Sequence, residues 1–150
     1  MTRKRSAYRP KRNVQNPVAL VLERIAPVTS CTDDYTVMSA RIELALSMLT
    51  TGKATASEIK DLINTSNMAQ ALKRQGYGVD YAAELHAGAT AVENVSLRHA
   101  ARTSGYVATG PELMAIRALV EIHDAQLEAV TVGELQAGIA AVNKKVKESV

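Results

Sequence analysis

The chain has 150 residues, 47% of them hydrophobic, with 18 Lys+Arg against 15 Asp+Glu, one Cys, five Tyr and neither Trp nor Phe. That length suits one domain able to bury roughly 68–70% of its unfolded surface unaided, while the lone Cys31 excludes an internal disulfide and the cysteine-rich zinc frameworks. The early apolar stretch Val18 to Leu22 is far short of the ~20 residues of a membrane helix, and no secretory pattern follows the basic N-terminus, so the expected setting is reducing and cytoplasmic, with no membrane partner.

Charge is unevenly spread. Six of the first twelve residues are cationic (Arg3, Lys4, Arg5, Arg9, Lys11 and Arg12) with no acid among them, giving +6, whereas Asn13 to Val150 hold 12 Lys+Arg and 15 Asp+Glu, giving −3. Residues 1–15 read as a basic extended arm, too poor in apolar side chains to fold alone and interrupted by Pro10. Residues 16–150 read as a single helical-bundle domain. Clustered cations suit phosphates, whose neutralisation releases counterions, and Tyr8 could stack on an exposed base. The candidate nucleic-acid-binding residues are therefore Arg3, Lys4, Arg5, Tyr8, Arg9, Lys11 and Arg12. The same arm also reads as one that docks on an acidic protein surface, or as a solubilising tail.

Asn16 and Pro17 fit the cap and first residue of a short helix that Pro27 stops near Ile25. After a loop to about Asp33, a helix carries Tyr35, Met38, Ile42, Ala45 and Leu49 on one stripe and ends at Gly52. It is apolar beyond that stripe, through Val37, Leu44, Leu46 and Met48, so it is expected at the centre of the bundle, with burial in a homodimer as the alternative. Thr55 and Glu58 form a capping box that opens a third helix running towards Gly76. Ala56 to Arg74 also invites a helix-turn-helix reading, but no glycine stands at the turn around Asn64 to Asn67, and one continuous or kinked helix is the expectation, with the helix-turn-helix as the alternative.

Gly76 to Gly78 is a connector. An Ala-rich helix from about Val79 to Thr103 follows, striped by Tyr81, Leu85, Gly88, Val92, Val95 and His99. Its small residues, among them Ala87, Gly88 and Ala91, permit close backbone approach within the bundle or between subunits. Beyond a second connector, Gly105 to Gly110, boxes at Thr109/Glu112 and Thr131/Glu134 open two further helices. The first carries Leu113, Ile116, Val120, His123, Leu127 and Val130, the second Val132, Leu135, Ile139, Val142 and Val146. Stripes of this spacing belong to helices crossing at shallow angles, and no strand signal competes. The fold class is all-α: a compact bundle of five longer helices plus one short N-terminal helix, preceded by the arm.

Catalytic and metal chemistry find no foothold in the pattern. The Glu-x-x-His spacing of carboxylate-bridged metal sites fails at each histidine, because Ala83, Ser96 and Val120 stand three residues before His86, His99 and His123. His123 lies on an apolar stripe, where a polar residue is expected to fix register through one hydrogen bond. Glu121 and Asp124 fan out around the helix rather than converge on it. Cys31 neighbours Asp33 and Asp34, the wrong charges for a reactive thiolate. No enzyme activity, catalytic residue, metal or cofactor is expected.

The run Lys-Arg-Ser-Ala-Tyr-Arg-Pro-Lys at 4–11, Asn-Pro-Val-Ala at 16–19 and His-Asp-Ala-Gln-Leu-Glu at 123–128 together resemble a set of small proteins carried by phages, prophages and plasmids of proteobacteria. The resemblance implies a mobile-element accessory protein and carries over no site residue. The expected partner is nucleic acid or a host or phage protein, the alternative role being that of an interaction factor or inhibitor of a host system acting through the helical body.

Overall fold

Each of the three Thr-x-x-Glu boxes closes a helix N-terminus. The Thr55, Thr109 and Thr131 amides donate to Glu58, Glu112 and Glu134 at 2.8, 2.8 and 2.9 Å, and each threonine hydroxyl accepts from a first-turn amide in return. Orphan amides at the helix starts are thus satisfied by side chains two or three residues away. The structure, a computed structural model, describes residues 17–100 and 105–149.

The described residues form α1 (Pro17–Ile25), α2 (Thr32–Thr50), α3 (Ala56–Arg74), α4 (Ala82–Ala100), α5 (Gly110–Ala129) and α6 (Val132–Glu148). Short 3-10 turns at Val28–Ser30 and Val79–Tyr81 lead into α2 and α4, so the Ala-rich helix begins three residues later than its composition suggests. No strand occurs among the described residues. Two isolated bridges pin loops together, Pro27 to Thr131 and Ala54 to Tyr106. Around the first, the Val28 amide donates to the Val130 carbonyl at 3.2 Å and the Val132 amide to the Ala26 carbonyl at 2.9 Å, which fixes the α1–α2 loop against the α5–α6 turn.

The centre of the bundle is α3, which packs against α2, α4, α5 and α6. This corrects the expectation for α2. That helix contacts mainly α3 and α5, and its second apolar face is only half covered: Leu46 and Met48 pack against the core, while Val37 and Leu44 stay 60% and 56% exposed. The reason lies in size. Buried positions on α3 include Thr65, Ser66, Ala69 and Ala71 beside Leu62 and Leu72, and short side chains admit neighbours on several sides. The Thr65 hydroxyl donates to the Asp61 carbonyl at 2.8 Å, so the polar stretch passes through the interior without a helix break.

One core unites Ile42, Ala45 and Leu49 with Ile59, Leu62, Leu85, Val92, Val95, Ile116 and Leu119. A smaller one gathers Val28, Leu72, Leu127 and Val130. Gly88 is where α4 and α5 come closest: a Cβ there would lie 2.5 Å from Leu119 Cβ and 2.9 Å from the Ala115 carbonyl. The close approach expected of the small residues is therefore made inside the bundle at this position.

Candidate functional site

The arm residues Arg3, Lys4, Arg5, Tyr8, Arg9, Lys11 and Arg12 lie outside the described residues. On the body, Arg74 at the end of α3, His86 on α4 and Lys145 on α6 face one cleft of about 510 Å³, together with Asn67, Gln70 and Glu93. Helix geometry accounts for the convergence: basic residues gather in the last turns of α3 and α6, where they complement the carbonyl-rich ends. The cleft thus carries two cations, Arg74 and Lys145, beside one imidazole and one carboxylate.

His86 is exposed, as its position suggests. His99 stacks on Tyr106, ring centroids 3.7 Å apart, and so ties the end of α4 to the connector before α5. Arg98 binds the same connector, donating to the Val107 carbonyl at 3.0 Å and, with both terminal nitrogens, to Glu112. The Arg98 guanidinium, helped by the Thr109 donors, holds the Glu112 carboxyl down at about 2.

His123 is buried, 1% exposed. Its Nδ1 lies 3.4 Å from Gln126 Oε1, one turn along the same helix. Gln126 is buried as well, and its Nε2 donates to the Ala69 carbonyl of α3 at 3.1 Å and to the Tyr77 carbonyl at 2.9 Å. The cross-helix bonds that set register therefore come from Gln126, and His123 takes part through it. This corrects the expectation that His123 fixes register by its own bond. A wider reading of the α5 stripe could have found Gln126, which sits beside Leu127 and three residues after His123.

The locked amide also decides the imidazole tautomer. With both Gln126 donors spent on carbonyls, its oxygen can only accept, so His123 Nδ1 carries the proton and Nε2 has a free lone pair. Burial pushes the His123 pKa down to about 4, so the ring is neutral near pH 7. His123 lines a cavity of about 320 Å³ bounded by α2, α3, α5 and α6. Among the described residues no group of three or more His, Cys, Asp or Glu is placed to hold a metal ion, and no helix is long and apolar enough to cross a membrane. No protein-family description matches the chain, and no curated protein and no solved structure is similar to it.

Proposed function

We propose that the protein is a non-enzymatic accessory factor of a phage or other mobile element, and that its basic arm engages nucleic acid or a nucleic-acid-handling assembly. The observation that carries this reading is the partition of charge, +6 in residues 1–12 against −3 in the rest. A local excess of that size attracts a polyanion whatever the sign of the remaining body. The cleft that holds Arg74 and Lys145 supports the same reading, since its two cations can flank a polyanion that the arm has already bound.

The test is an electrophoretic shift series with single- and double-stranded probes across salt, comparing the full chain with a variant in which the six arm cations are Gln. Six phosphate contacts on duplex DNA imply a loss of roughly 10³-fold in affinity between 50 and 200 mM salt. The variant should bind neither probe while keeping its helical circular dichroism. Binding that is flat with salt, or survives in the variant, overturns the reading.

One observation favours a second reading, a protein-interaction factor working through the body. Helix α1 packs mainly on α6 and leaves Val18, Val21, Leu22 and Ile25 exposed, the first and last at 62%. Apolar residues adjoining on one surface helix are a common mark of a protein contact. A single stoichiometric partner kept from nuclease-treated host lysate by the arm-neutralised variant, and released by Leu22→Glu, supports it.

A further inference from the structure

The cavity beside His123 has the composition of a small-molecule site. Its walls are Met38 and Ile42 from α2, Met68 from α3 and Leu135 from α6, and Ile139, 43% exposed, stands at its rim. The one buried polar ring in this lining is His123. Its Nδ1 is engaged by Gln126, and Nε2 has no partner among the described residues. Nε2 is not among the buried side-chain atoms left unpaired, so it is open to a donor that enters the cavity.

Size and charge narrow the occupant. A 150 Å³ apolar cavity accommodates benzene, so about 320 Å³ corresponds to a molecule of about twelve non-hydrogen atoms. The rim carries Asp34 and the Arg41–Asp61 ion pair, whose closest atoms are 2.8 Å apart, two carboxylates against one guanidinium. An anion such as a fatty acid is disfavoured there.

We propose that this cavity binds a neutral, mostly apolar small molecule, of fused-ring size, that carries one O–H or N–H donor and gives it to His123 Nε2. The site is independent of the arm and of the cationic cleft. It makes the body a ligand-responsive unit, because its lining comes from the central helix α3 and three of the helices packed on it, α2, α5 and α6.

The probes are 1-naphthol and its isostere 1-methylnaphthalene, which lacks the donor, titrated calorimetrically into the full chain. The expected result is one site for 1-naphthol and a rise in Tm on binding. His123→Leu should reduce the preference for 1-naphthol over 1-methylnaphthalene about tenfold, the loss of one hydrogen bond to the imidazole. Ile139→Trp, at an exposed rim position, should weaken both probes about tenfold or more by filling the mouth, with the helical signal unchanged. Should His123→Leu fail to fold, the ¹⁵N resonance of His123 Nε2 in the unaltered chain decides: 1-naphthol should move it and 1-methylnaphthalene should not. An unchanged preference in His123→Leu, a still Nε2 resonance, or binding indifferent to Ile139→Trp overturns the proposal. So does a cavity closed by a second copy, which would show as a dimer by sedimentation that excludes 1-naphthol and dissociates in Ile139→Trp.

Discussion

Gln126 joins three parts of the chain through one amide: α5 on which it stands, the Ala69 carbonyl of α3 and the Tyr77 carbonyl of the connector that follows it. Truncation to Ala would remove two donors and leave a void against Gly78, whose added Cβ would already meet Gln126 Nε2 at 3.2 Å. Gln126→Ala is expected to cost about 2–4 kcal/mol in urea unfolding, combining a buried carbonyl left unpaired with lost packing. A cost under about 0.5 kcal/mol, the range of ordinary surface changes, would contradict its role. Asp124, two residues earlier, presents the opposite case. Its Oδ1 is buried without a partner, and burial, with Glu43 and Glu128 nearby, raises its pKa. The carboxylate is therefore a burden at neutral pH, and Asp124→Asn should raise Tm by about 2 °C at pH 7. The gain should shrink as the pH falls and the native carboxyl takes up its proton. Equal melting of the two proteins at pH 7 would contradict this.

At the scale of the helix, the sequence was legible where one local rule decides. The three Thr-x-x-Glu boxes start helices α3, α5 and α6, and the stripes through Ile42, Val92 and Ile116 face the core. It was misleading where the neighbour decides. Apolar content pointed to α2 as the centre, yet α3 holds that place with Thr65, Ser66, Ala69 and Ala71, because a hub needs small side chains more than greasy ones. The same logic governs the α4–α5 crossing. Ala is worth about 1 kcal/mol more than Gly in a helix interior, but at Gly88 the new methyl would collide with Leu119 and with the Ala115 backbone. Overpacking of about 1–3 kcal/mol outweighs propensity, so Gly88→Ala should lower stability by about 1–2 kcal/mol. Stabilisation instead would show that α4 and α5 can separate at little cost.

Across the whole molecule, the feature on which the proposed function rests is the charge partition, which needs no fold to be seen. The cavity could not be seen in the sequence, since Met38, Met68, His123 and Leu135 come from four helices and share no local pattern. Its buried histidine nevertheless leaves a signature in the response of the whole fold to acid. The His123 pKa is about 4 against an ordinary 6.5, so the unfolded chain binds this proton first. Its contribution to stability is complete above pH 6.5 and is lost as the pH falls from there to 4. Glu112, held at about 2 against an ordinary 4.5 by Arg98, acts lower: its contribution is complete above 4.5 and lost towards 2. Unfolding free energies from urea titrations should therefore decline in two successive stages, the first by up to about 3 kcal/mol with the uptake of one proton at His123, the second shared by Glu112 with Glu58 and Glu134, whose carboxyls the capping boxes also hold down. His123→Leu should flatten the first stage and leave the second, whereas Glu112→Gln should leave the first, make the second shallower, and cost about 1–2 kcal/mol at pH 7 through its lost ion pair and cap. A decline that begins only below pH 4.5 in the unaltered chain would mean that His123 is hydrated or charged in the native state, and the neutral acceptor assigned to the cavity would go with it.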